Sequence, residues 1–395
     1  MISPLGGAWQ EINLDALRFN LESVRAAVGS GVKIAAVVKA DAYGHGMTEC
    51  AAALWSAGAD VIASASVREA LCLRRVLSDA PLWSMGYASR DLLEAAIVNG
   101  ITLTICDVEQ ARLLSDTAAS LNMTARAHVK IDTGFHRLGI PSGEARGALP
   151  AIMSMPRLAI DGIFTHLALI DEEHDRAQAS RFFSAVNPLA LRGEDAPILH
   201  AADSIAAFRY PQWRLGMVRV GALLYGNVIA DAPFKPRKAM RLCARIVSLR
   251  VVPPGEGVGY DESYRARRET IIATIPLGYA DGLPRRLREQ GQASVRGARV
   301  RYAGMPCMDQ SMLDVTDAPG VSVGDIVTVL GGEGADSIPV EDFAAWIGSN
   351  RNEPLAMTGR RVPRLYYQNG EPVKVSDPLL ADVTPQTSSL RHTLP

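Results

Sequence analysis

Eight short apolar runs punctuate the first part of the chain, at 33–39, 60–65, 81–86, 101–107, 125–132, 159–166, 197–201 and 217–221. Between most of them apolar residues recur at helical spacing, as in "MTECAAALWSAGA" and "VEQARLLSDTAASLN". Eight strands, each followed by a helix, fit a closed parallel barrel better than an open doubly wound sheet. The pattern therefore predicts an α/β fold, a (β/α)8 TIM-type barrel over residues 11–235. After about residue 235 the texture changes. "RLCARIVSLRVVPPGEGVGY", "ETIIATIPLGYADG", "ASVRGARVRYAG" and "VSVGDIVTVLGG" are β-rich runs broken by Pro and Gly, with one short helical stretch near "VEDFAAWIG". These predict a second, mostly antiparallel β domain over 236–375, joined by residues 1–10. The polar, Pro-containing tail 376–395 is expected to be loosely ordered.

Composition narrows the class. The chain has 395 residues, 48% of them hydrophobic and 21% charged, enough for two substantial cores. No apolar run is long enough to span a bilayer, and "MISPLGGAWQEINLD" lacks the basic start and apolar core of a signal peptide. The expected location is the cytoplasm. A net charge of −1 with interspersed signs points to neither nucleic acid nor an anionic membrane. Five scattered cysteines without a CxxC pair suggest neither a disulfide framework nor a structural zinc site.

Barrel active sites lie at the C-terminal ends of the strands, and several runs end in chemically capable residues. The first leads into "VVKADAYGHG". Lys39 there is either a snorkelling structural cation or, if desolvated at the rim, an amine of lowered pKa able to form a Schiff base. Tyr43 could donate to a phosphate. "KIDTGFHRLG" holds Lys130, Asp132 and Arg137; Asp132 is read as a turn cap or a buried acid, and Arg137 as exposed or facing a carboxylate or phenol oxygen. His166 and His200 close two more runs, but with His45 they show no metal-ligand spacing, so no metal is expected. Ser204, Arg219 and Gly221 lie where barrels commonly bind phosphate. In the second domain Tyr264, Tyr279 and the Cys307-Met308-Asp309 run are turn or core residues by themselves.

Taken in order along the chain, "WQEINLDALRFNL", "VVKADAYGHG", "HVKIDTGFHRLG", "FTHLA", "VRVGALLYG", "IPLGYADG", "CMDQ" and "RVPRLY" resemble the pyridoxal-phosphate-dependent alanine racemases, over nearly the whole chain. The resemblance implies a head-to-tail homodimer with shared active sites acting on a small amino acid. It implies pyridoxal 5'-phosphate bound to Lys39, with phosphate contacts from Tyr43, Ser204 and the backbone at Gly221. The arginine matching Arg219 meets the pyridine nitrogen, supported by His166. Arg137 touches the phenol oxygen and the substrate, and Lys130 is a position often carbamylated to hold that arginine. Tyr264, Tyr279 and Met308 come from the partner subunit. The implied reaction interconverts L- and D-alanine with two bases: Lys39 for the D-enantiomer and Tyr264 for the L-enantiomer. An arginine at the pyridine nitrogen cannot give up a full proton, which favours racemisation over transamination.

The chain departs from the family pattern at two places. Asn352 stands where the family usually has tyrosine, implying a roomier, more polar pocket and turnover of serine or other small polar amino acids. Asp203 stands where asparagine usually precedes the serine, adding a negative charge near the phosphate position. Phe135 and Ile170 also differ from the common residues. The alternatives are a racemase preferring serine, a pyridoxal-phosphate-binding protein without turnover, or a barrel decarboxylase; Tyr264 speaks against the second and the surroundings of Arg219 against the third.

Overall fold

The computed structural model describes residues 6–193 and 196–380. They form two compact units, one of residues 17–42 and 47–236, the other of 6–16, 43–46 and 237–380. Of the tail expected to be loosely ordered, residues 381–395 lie outside the described residues, and a last strand, Glu371–Ser376, precedes it.

The first unit is the barrel. Its strands are Lys33–Val37, Val61–Ser64, Leu82–Tyr87, Ile101–Ile105, Ala125–Asp132, Leu158–Phe164, Ile198–His200 and Met217–Val220, parallel and adjacent in that order. The eighth pairs with the first, Met217 opposite Lys33 and Val220 opposite Ala36. Between the seventh and eighth the ladder thins to isolated bonds, from Gly216 N–H to Leu199 O at 3.0 Å and from Arg219 N–H to Ala202 O at 3.1 Å. The ring is nearly closed. Strands buried on both faces read as continuous apolar runs, as Ile34, Ala35 and Ala36 do.

Helix starts follow local chemistry. Asp107 and Asp171 accept the N–H groups of Gln110 and His174 at 2.7 and 2.9 Å, capping helices Val108–Ser120 and Glu172–Val186. One expectation needs correction: the last strands are not followed by full helices. The seventh leads to the four-residue helix Ala206–Arg209, and the eighth only to a single 3-10 turn, Ala222–Tyr225. The long helix Leu14–Val28 meets that turn instead, its Asn20 side-chain amide donating to Leu224 O at 2.8 Å. A helix from before the first strand thus takes the place expected of one after the eighth.

The interior of the barrel is aromatic. Trp83 is fully buried and stacks on His128 at 4.6 Å, with Phe164 and His200 edge-on at 5.1 and 5.3 Å.

The second unit is built on a ten-stranded sheet. Strand Ala8–Asn13 lies inside it, antiparallel to Met240–Arg245 and parallel to Arg364–Gln368; its other ladders are antiparallel. A small hairpin, Gly257–Val258 with Tyr264–Arg265, carries Tyr264. Gly44 and Gly46 belong to this unit, at φ +81° and +92°. A side chain at Gly44 would meet Leu355 O at 2.0 Å, and one at Gly46 the Tyr366 hydroxyl at 1.8 Å. Packing inside the protein requires these glycines.

Candidate active site

The first barrel strand stops at Val37, two residues before Lys39. Beyond Lys39 the backbone turns left-handed: φ is +52°, +54°, +57° and +53° at Ala40, Asp41, Ala42 and Tyr43. None of these is glycine, so tertiary bonds must hold the conformation. Glu69 does so from helix Val67–Arg74, accepting the Ala40 N–H and the Ala65 N–H at 2.8 Å each. Asp41 accepts the Met47 N–H at 2.7 Å, and the Tyr225 hydroxyl donates to Val37 O at 3.0 Å. The half-buried Lys39 amine is held below its ordinary pKa, first by burial and then by Arg137 and Arg219, against the opposing charges of Glu69 and Asp203.

Arg219 leaves the eighth strand buried, with both terminal nitrogens partnered. Nη2 donates to Thr165 O at 2.8 Å and Ala201 O at 2.9 Å, and Nη1 to His200 Nδ1 at 2.9 Å. A longer contact of 3.4 Å reaches His166 Nδ1. Burial pulls its pKa down to about 10, still charged at neutral pH. His166 is pulled down to about 2 by burial and by Arg219, Arg137, Lys130 and Lys39, and is neutral.

The fifth strand ends at Asp132, whose Oδ1 accepts the N–H groups of Gly134, Phe135 and His136 at 2.9, 3.1 and 3.1 Å. Burial raises its pKa, but these bonds and His136 bring it net below the usual range. Asp132 is a turn cap, and the turn presents the exposed Arg137, whose guanidinium lies 4.3 Å over the Phe135 ring. Phe135 also packs on His166, at 5.1 Å. Buried Lys130 is lowered to about 8 by desolvation, then by Arg137.

Ser204 and Gly221 are adjacent, the Gly221 N–H donating to Ser204 Oγ at 3.0 Å. Asp203 is turned into its own loop, with Oδ1 accepting from Ile205 and Ala206 N–H.

The barrel unit thus brings together Lys39, Lys130, Arg137, His166, Ser204, Arg219 and Gly221. Tyr43, Tyr264, Tyr279, Met308 and Asn352 lie in the other unit. There Tyr264 donates to Asp314 Oδ2 at 2.7 Å, and burial followed by that bond raises its pKa. Tyr279 and Ala280 N–H donate to Cys307 and Met308 O, at 2.9 and 3.0 Å. Asn352 is exposed and opens helix Asn352–Ala356, its N–H on Asn350 Oδ1 at 2.9 Å. Two residues with structural parts, Glu69 at the mouth and His128 in the barrel interior, do not stand out in the sequence as site residues. Glu69 had a signal, since "SVRE" has capping-box spacing; His128, in mid-strand, had none. Among the described residues no group of three or more His, Cys, Asp or Glu is arranged to hold a metal.

A mouth holding two lysines and two arginines, with a serine hydroxyl and a backbone N–H beside them, has the donor chemistry for an anionic, phosphate-bearing cofactor with an aldehyde for the amine. Comparison with known proteins decides the family. Residues 12–228 match the N-terminal domain of alanine racemase and residues 239–366 its C-terminal domain. The chain belongs to the alanine racemase family. It is 38% identical to the alanine racemase of Desulforamulus reducens over 366 residues, 91% of this chain and 98% of that protein. Identity to the Desulfovibrio desulfuricans enzyme is 37%, with the same coverage. Among solved structures it resembles the alanine racemase of Clostridium difficile 630 at TM-score 0.88 and 34% identity, covering 94% of this chain and 98% of that one. The Bacillus anthracis alanine racemase with bound L-Ala-P matches at 0.87 and 31%, over 94% and 98%. The chain is an isomerase, an alanine racemase, and the family's cofactor is pyridoxal phosphate. No described helix is long and apolar enough to cross a membrane.

Proposed function

We propose that this chain racemises alanine with Lys39 as one proton carrier and Tyr264, contributed by a second copy, as the other, in a cytoplasmic homodimer whose barrel, residues 11–235, is the cofactor domain. Bound pyridoxal phosphate supplies the electron withdrawal that makes the Cα–H of alanine acidic. The observation that carries the reading is the half-buried Lys39 amine, depressed by burial and by Arg137 and Arg219.

Lys39 anchors the cofactor and moves the proton on one face of Cα. Its lowered pKa favours the neutral, basic amine, whereas Tyr264 is raised and rests protonated. With the Lys39 amine free of the cofactor, these opposite shifts suit D-alanine: Lys39 would take the proton from one face and Tyr264 return one to the other. Asp314, accepting from the phenol at 2.7 Å, orients it. Arg219 presents a fixed, donor-only guanidinium to the pyridine nitrogen, with neutral His166 beside it. Tyr43, Ser204 and the backbone at Gly221 would hold the phosphate, the Gly221 N–H giving up its bond to Ser204 Oγ to do so. Arg137 meets the phenol oxygen and the substrate carboxylate, and Tyr279, Met308 and Asn352 line the access. Lys130, lowered to about 8, has a neutral fraction able to take up carbon dioxide as a carbamate that pairs with Arg137.

The test is direct. Protein loaded with cofactor should show a long-wavelength absorbance band lost on borohydride, with the label on Lys39, and should abolish the optical rotation of L-alanine. Lys39→Ala should lose both the band and the turnover. Tyr264→Phe should keep the band and lose about 100-fold or more in kcat. Full turnover by either variant defeats the assignment; a band without racemisation in the wild type favours a carrier. A second reading, serine as co-substrate, is favoured by exposed, polar Asn352 in place of an aromatic ring.

A further inference from the structure

Below Arg219 lies a line of hydrogen bonds whose direction is fixed. A guanidinium has donors and no acceptor. Since Arg219 Nη1 lies 2.9 Å from His200 Nδ1, that nitrogen accepts and the His200 proton sits on Nε2. His200 Nε2 lies 2.9 Å from His128 Nδ1. It donates, so His128 Nδ1 accepts and His128 also carries its proton on Nε2. Both rings are buried and clamped. His200 stacks on Phe164 at 4.9 Å with 2° between planes, and His128 on Trp83 at 4.6 Å. The Trp83 indole N–H donates to Thr104 Oγ1 at 3.0 Å and does not compete. His128 also lines a cavity of about 790 Å3 bordered by Lys33, Asp60 and the paired Arg126 and Asp161.

We propose that His128 is a positioning residue for Arg219: by accepting from His200 Nε2 it holds His200 in the one tautomer whose Nδ1 lone pair faces the guanidinium. The opposite tautomer would set an N–H against an N–H at Arg219 and push Nη1 out of line, leaving the guanidinium held only through Nη2 by Thr165 O and Ala201 O. Burial holds both histidines well below their ordinary pKa, with Arg219's charge adding to it, so neither charges at neutral pH and the tautomer is their remaining freedom. The functional part rests on the reading that Arg219 faces the cofactor; the tautomer assignment does not.

The experiment is imidazole nitrogen–proton correlation spectroscopy on the loaded enzyme. Wild type should show His128 and His200 both protonated on Nε2 across the neutral range. His128→Leu removes the acceptor, and His128→Asn restores one, its Oδ1 taking the place of Nδ1. The leucine variant should give a mixed His200 tautomer, a shifted cofactor band and a kcat about 10-fold lower with KM for alanine little changed. The asparagine variant should recover the His200 tautomer and most of the kcat. An Nδ1–H His200 in wild type, or equal behaviour of the two variants, overturns the proposal. If the leucine variant fails to fold, the wild-type spectrum and the asparagine variant still decide. Failure of borohydride to label Lys39 would defeat the functional reading and leave the tautomers to stand or fall by their own spectrum.

Discussion

Glu69→Gln changes one atom and should loosen two strand ends at once. The wild-type carboxylate accepts Ala40 N–H through Oε1 and Ala65 N–H through Oε2, each at 2.8 Å. Glutamine keeps the shape but turns one acceptor into a donor, so one backbone N–H faces an N–H and the other loses its charged partner. A hydrogen bond to a charged group contributes about 1.5–3 kcal/mol, and water access at this half-exposed site reduces that to about 1–2 kcal/mol. The turn around Lys39 should then open about 5–30 times more often. The assay is amide hydrogen exchange on peptides covering residues 38–43 and 63–67, in wild type, Glu69→Gln and Glu69→Ala. Both peptides should exchange faster in both variants, and Lys39, relieved of an opposing charge, should have its pKa fall further. Unchanged exchange at Ala40 in the alanine variant would refute the claim that Glu69 holds the left-handed turn.

Other outcomes follow from the same geometry. Lys130 is lowered to about 8 from 10.5. The folded state therefore binds fewer protons than the unfolded one between those values, and stability rises with pH through that window, by up to about 3 kcal/mol. Lys130→Met should flatten that rise in urea midpoints measured without carbon dioxide; a rise that persists assigns it elsewhere. Asn352→Tyr should lower the kcat/KM ratio of serine to alanine by about 10-fold, and an unchanged ratio removes Asn352 from substrate choice. Trp83→Ala, which empties the space between His128, Phe164 and His200, should cost about 3–5 kcal/mol in urea denaturation; a loss under 1 kcal/mol would mean the barrel interior collapses to fill it.

The barrel strands were legible because most of their residues are buried and the runs are largely apolar, as in Lys33–Val37; Ala125–Asp132, which carries the exposed Arg126, still has the same limits in sequence and structure. The first strand reads two residues too long. Ala40 and Ala42 carry no local signal for a left-handed turn, alanine being the residue that most favours the right-handed helix. Contacts from distant parts of the chain impose it. The missing helix after the eighth strand has a similar cause, because its place is filled by Leu14–Val28, a helix far off in sequence. At the mouth, Lys39 and Arg137 were found because they follow strand ends, and Arg219 because it lies one residue short of one. His128 was not, because an inward-facing strand histidine shows its role only when His200 is beside it. Asp203 stood out in the sequence as a charge; its Oδ1 caps its own loop, and its charge still acts on Lys39 and Arg219.

The left-handed turn after Lys39 also bears on how the site comes together. At about 1–2 kcal/mol for each residue, positions 40–43 carry about 4–8 kcal/mol against the observed conformation before any distant contact forms. The groups that offset this arrive from afar: Glu69 is 29 residues on, and Tyr225 is 188 residues from Val37. A nascent chain lacking them holds Lys39 as an ordinary, solvated lysine on an unformed loop. The amine reaches its observed setting only with the eighth strand beside the first, so the first strand and its turn do not make the site by themselves.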